Sequence, residues 1–82
     1  MDDTFYVKCD KSMHIFLMEY AKRVGIPINK PDKEYDMDYP NVGWSRDYDC
    51  VCRYVREPQF AEKISATKFI KFIDNIAKSK IN

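Results

Sequence analysis

The chain has 82 residues, 45% hydrophobic and 15% aromatic, with 14 basic against 13 acidic side chains and a formal charge of +1. That length supports one domain with a thin core, burying roughly two-thirds or a little less of the surface its unfolded form exposes. The composition excludes a disordered chain, and two glycines exclude a Gly-rich phosphate cradle.

Charge is unevenly spread along the chain. Residues 1–42 carry six Lys or Arg against eight Asp or Glu, and residues 43–82 carry eight against five. The halves are therefore −2 and +3, a two-sided molecule without the basic excess of a dedicated nucleic-acid binder. The three cysteines, Cys9, Cys50 and Cys52, read as reduced thiols of a cytosolic protein rather than a disulfide framework. The N-terminal residues show no basic-then-apolar leader pattern, and no run approaches the roughly 18 apolar residues of a membrane span.

In chain order, Thr4–Cys9 alternates, with Phe5, Val7 and Cys9 on one face and Tyr6 and Lys8 on the other, which predicts a half-buried strand. Asp10 or Ser12 is placed to cap a helix running to about Val24. Its predicted buried stripe is Met13, Phe16, Leu17, Tyr20, Ala21 and Val24. Gly25 and Pro27 then stop it. Val42–Trp44 and Cys50–Val55 predict a hairpin turning through Arg46–Asp49. Because Arg53 is charged, Cys50, Cys52 and Tyr54 are expected to face inward, with Val51, Arg53 and Val55 outward. Ser65 caps the last helix, and Ile64 and Phe69 are spaced as a hydrophobic staple. Ala66, Phe69, Ile70, Ile73, Ile76 and Ala77 form its apolar face.

The expected fold is α+β, a single domain of order β-α-β-β-α: three antiparallel strands with both helices on one face. Strand order 1-3-2 is favoured because it centres the apolar third strand, although 3-2-1 is also allowed.

Between helix and hairpin lies Pro31–Trp44, reading PDKEYDMDYPNVGW. Asp32, Glu34, Asp36 and Asp38 alternate with Tyr35, Met37 and Tyr39, residues suited to a displayed contact surface. A calcium loop is excluded, because Met37 stands where glycine is required and Gly43 where the bidentate glutamate is required. The lone histidine, His14, lacks a nucleophile partner in the sequence and reads as a surface or packing residue. Cys50-x-Cys52 does not have the spacing of a zinc site. The reading is therefore of a non-catalytic protein without cofactor or metal.

Two stretches, Tyr39-Pro40-Asn41-Val42-Gly43-Trp44 and Ile64-Ser65-Ala66-Thr67-Lys68-Phe69-Ile70, resemble small accessory early proteins of tailed bacteriophages. The resemblance spans Tyr39 to about Ile73. It implies a protein of the host-cell cytoplasm that binds and disables a bacterial enzyme or antiviral defence, such as a restriction or CRISPR nuclease. The expected partner-binding residues are Asp32, Glu34, Tyr35, Asp36, Asp38, Tyr39, Trp44 and Tyr48, with the carboxylates imitating phosphates toward a basic cleft. The competing expectation is a small nucleic-acid binder using Tyr6, Lys8, Arg46, Arg53 and Arg56 on the sheet face. Either form could dimerise through an exposed strand edge.

Overall fold

Phe5–Val7 forms β1 in the computed structural model, which describes residues 4–81 and the side chains of residues 4–79. There follow α1 (Lys11–Arg23), β2 (Asn41–Ser45), β3 (Cys50–Tyr54), β4 (Glu62–Lys63) and α2 (Ala66–Ile81). No helix among the described residues is long and apolar enough to cross a membrane.

Side chains set the start of both helices, and Gly25 sets the end of α1. The Asp10 carboxylate accepts the Met13 N–H at 2.8 Å, satisfying one donor of the first turn. At the other end Ile26 N–H bonds Ala21 O at 2.9 Å and Gly25 N–H bonds Lys22 O at 3.1 Å. This double closure needs a left-handed residue between helix and exit, and Gly25 supplies it at φ 80°. Ser65 Oγ accepts Lys68 N–H at 3.2 Å at the start of α2, with Ile64 and Phe69 both packed in the core.

The sheet is α+β as expected, but it has four strands in the order β3-β2-β1-β4 and is mixed. β1 and β3 both flank β2 antiparallel, while β4 runs parallel to β1. The two-residue β4 has no apolar alternation to announce it. Main-chain bonds create it, Glu62 N–H to Thr4 O at 3.2 Å and Ile64 N–H to Tyr6 O at 2.8 Å. The favoured order 1-3-2 does not form, because the outer edge of β3 is already taken. Val51 donates to Pro27 O and accepts from Asn29 N–H, so the segment after α1 lies parallel against β3 and leaves β1 the edge of β2.

The hairpin is also turned over relative to expectation. Trp44 pairs with Val51 and Val42 with Arg53, and Val42, Trp44 and Val51 all lie in the core. Val51 is therefore inward and Cys50, Cys52 and Tyr54 lie on the sheet's other face. The charge on Arg53 misleads because its stem is long enough to leave the core at the sheet rim. The α1 stripe is likewise rotated: His14 and Met18 are buried and Phe16 is 53% exposed.

Val7, Leu17, Ala21, Val42, Val51, Phe69 and Ile73 fill the centre. Phe72 meets the rings of Phe5 and Trp44 edge-on at centroid distances of 4.8 and 5.1 Å, seating α2 over β1 and β2. The Tyr20 hydroxyl donates to Asp74, tying α1 to α2. On the opposite face a β-carbon on Gly43 would come within 2.1 Å of Phe5 O and 2.7 Å of the Tyr54 ring. Only glycine fits that central β2 position.

Phe69→Ala is expected to cost about 3–5 kcal/mol through the cavity it leaves, while exposed Lys71→Ala stays within about 0.5 kcal/mol. Gly43→Ala is expected to destabilise at least as strongly as a core truncation, since backbone and ring cannot both move aside. Urea denaturation measures all three, and equal midpoints for the Phe69 and Lys71 variants would contradict this packing.

Candidate functional site

The acidic segment is a loop with fixed ends. Its first residues leave β3 with Lys30 in the left-handed region at φ 54°, a conformation that costs a residue bearing a β-carbon. Arg53 holds it there. One guanidinium nitrogen donates to Asn29 O at 2.8 Å and to Lys30 O at 3.1 Å, and the other to Lys33 O at 3.1 Å. Arg53 is thus the clasp of the loop and does not belong to the open sheet face, where the nucleic-acid reading placed it.

At the far end of the loop the fixed point is His14. Its Nδ1–H donates to Pro40 O at 2.8 Å, and the Tyr35 ring stands edge-on to the imidazole at 5.0 Å. Burial holds the His14 pKa below its ordinary value, partly offset by the Pro40 carbonyl, and the Arg53 charge lowers it further. Glu19, Lys22 and Lys33 line the same small cleft beside His14 and Arg53. Neutral His14 is consequently the species the fold accommodates.

The loop carboxylates divide into two kinds. Asp36 shapes the loop, accepting Asp38 N–H at 2.9 Å and meeting Lys33 Nζ at 3.7 Å. Asp32, Glu34 and Asp38 are exposed, as are Met37 at 65% and Tyr39 at 41%. Lys33 Nζ also lies 5.2 Å from the Tyr39 ring centre. Two expected contact residues do not join them. Trp44 is 4% exposed and belongs to the core. Tyr48, 76% exposed, lies in the turn at the other end of β2, roughly 13 Å or more away at strand spacing.

The open face of the sheet carries Tyr6, Gly43, Cys52 and Tyr54 across its strands. The Tyr6 and Tyr54 rings are 6.4 Å apart, and the Tyr54 hydroxyl donates to Trp44 O at 2.9 Å. Burial pushes the Tyr54 phenol up to about 12. Cys50 and Cys52 present sulfurs 3.7 Å apart. Burial, with the neighbouring Cys50 thiol, pushes Cys52 up to about 12. Cys9 is also raised by burial, and its Sγ donates to Val7 O. Among the described residues no three His, Cys, Asp or Glu side chains gather where they could hold a metal ion.

Beside Tyr6, at the end of the sheet where the acidic loop arrives, is a cleft of about 540 Å³. Tyr6, Lys8 and Arg56 line it as the nucleic-acid reading expected, joined by Lys11, Lys63 and Tyr35. Arg46 does not reach it, because Arg46 follows Ser45 at the opposite end of β2, where its N–H meets Thr4 Oγ1 at 3.3 Å. Sequence reasoning missed Lys63, which only the pairing of Tyr6 with Lys63 across β1 and β4 brings alongside. Lys11 was missed as well, since its position at the start of α1 gives no sign of the cleft.

No protein-family model, curated protein or solved structure matches the chain.

Two outcomes follow from these environments. His14 has a folded pKa below its unfolded value of about 6.5, so the unfolded state binds more protons in the interval between them. Stability should therefore fall as pH drops below about 6.5, and His14→Gln should flatten that part of the stability–pH curve without altering acid loss at lower pH. Chemical denaturation at intervals from pH 7.5 to 5 reads the difference in slope; identical slopes would contradict a neutral buried His14. For the thiols, a disulfide-exchange reagent at pH 8 should label Cys52 far more slowly in the folded protein than in urea, where all three cysteines react. Rapid labelling of Cys52 in the folded state would contradict its burial.

Proposed function

We propose that the protein acts by binding rather than catalysis, docking the acidic loop into a basic surface of another protein. The observation that carries this reading is the division of labour in the loop. Arg53, His14 and Asp36 hold the backbone, and the carboxylates of Asp32, Glu34 and Asp38 stay exposed beside Met37 and Tyr39. A loop fixed before encounter loses less conformational freedom on docking, so more of the contact energy appears as affinity. Exposed carboxylates steer a cationic partner, and Met37 and Tyr39 supply apolar contact area.

The resemblance of the Tyr39–Trp44 and Ile64–Ile70 stretches to phage early proteins gives the partner its class. It is a bacterial host or antiviral-defence protein with a cationic nucleic-acid-binding cleft, such as a restriction or CRISPR nuclease. The carboxylates would occupy the places of phosphates.

Immobilised protein in a nuclease-treated bacterial lysate should retain one stoichiometric protein, released as salt rises. The variant Asp32→Lys with Glu34→Lys and Asp38→Lys should remain folded and lose that protein at least tenfold, about 1.4 kcal/mol or more. Asp36 is left intact because its role is to shape the loop. Undiminished retention by the variant, or no retained protein with the unmodified chain, would overturn the reading.

A further inference from the structure

Beyond the acidic loop, we propose that the cleft at the end of the open sheet face binds single-stranded nucleic acid. Lys8, Lys11 and Lys63 with Arg56 are all exposed around a cavity of about 540 Å³, within the size range of ligand clefts. Tyr6 and Tyr35 stand on its walls. Cations that track a phosphate backbone beside aromatic rings on which bases stack are what sequence-tolerant single-strand binding requires.

The charges of the cleft are available to a ligand. The ion pair recorded among the described residues joins Lys33 to Asp36 in the loop, and none of the four cleft cations takes part in one. Two carboxylates also line the cleft. Asp10, which also caps α1 through its bond to Met13 N–H, and Glu57 both face a ligand there, so the four cations leave the cleft a net charge of +2. The Lys11 ammonium lies 5.7 Å from the Tyr35 ring centre, so a cation and an aromatic face already adjoin at one wall. Tyr6 sits on β1 with its ring tilted 46° to that of Tyr54. Tyr6 is paired with Lys63 across β1 and β4, and Tyr35 adjoins Lys11.

A single strand fits this arrangement better than a duplex does. The cleft is concave, and its tyrosines stand within it among the cations, where stacked and paired bases of a duplex present no open face. A duplex would meet only the rim charges. This inference does not depend on the loop's protein partner, since Asp32, Glu34 and Asp38 lie outside the cleft lining.

The test uses the full chain and a fluorescein-labelled ten-nucleotide oligothymidylate, followed by anisotropy. Binding should weaken linearly with the logarithm of salt concentration, with a slope of about −0.7 per phosphate neutralised. The pair Lys8→Glu with Arg56→Glu should weaken it at least tenfold. Tyr6→Ala should weaken it several-fold at unchanged charge. A charge-matched control on α2, Lys68→Glu with Lys71→Glu, should leave it within twofold, and thermal unfolding confirms that each variant is folded. Four results would overturn the proposal: no binding at low salt, an equal loss in the α2 control, equal affinity for a duplex of the same length, or equal affinity for thymidine monophosphate.

Discussion

Arg53 connects the core to the loop. Its backbone pairs with Val42 in the middle of the molecule, while its guanidinium ends on the carbonyls of Asn29, Lys30 and Lys33. Hydrogen bonds from a charged donor are worth about 1.5–3 kcal/mol each in favourable settings. Partial exposure reduces that figure, yet three together outweigh the roughly 1–2 kcal/mol that left-handed backbone costs at Lys30. Its Nε is buried without a partner among the described residues, a further cost those three bonds must offset. The loop is consequently shaped by a residue from the sheet together with its own Asp36.

The position of the loop follows from the packing beneath it. Gly25 turns the chain out of α1, Pro27–Asn29 runs along the edge of β3, and the loop begins where Arg53 can meet it. At its other end Asn41 starts β2 and fixes three neighbours. Its side-chain amide donates to Val55 O and Arg56 O and accepts Cys9 N–H. One end of the sheet thus carries both the displayed carboxylates and the cationic cleft, with Tyr35 between them. The opposite end carries Arg46 and Tyr48. The two adjacent surfaces of opposite sign do not follow the division of charge along the sequence, since Lys8 and Lys11 of the cleft come from the acidic half.

What the sequence revealed tracks how local the determining interaction is. Caps, staple and helix stop were legible because Asp10, Gly25, Ile64 and Ser65 act within a few residues of themselves. The two helices and the hairpin followed from periodicity. β4 was not legible, since Glu62 and Lys63 form a strand only because β1 offers an edge. The orientation of β3 was misread because charge was weighed above reach: Arg53 keeps its stem inward and its head outside. In the site, exposure of the alternating acids was evident from composition, but the distinct role of Asp36 and the burial of Trp44 depend on contacts made across the fold. The gathering of Lys8, Lys11, Arg56 and Lys63 draws on four separate segments, which no local pattern can announce.

The central claim is that Arg53 holds the acidic loop in one shape before any partner arrives. Backbone ¹⁵N relaxation over residues 30–39 tests it directly, comparing the protein with Arg53→Ala. The account predicts order parameters near those of the sheet, about 0.8, in the unmodified protein, and values falling toward about 0.6 or lower in the variant while β2 and α2 stay rigid. Order parameters for the loop that are low in both proteins, or high in both, would contradict it.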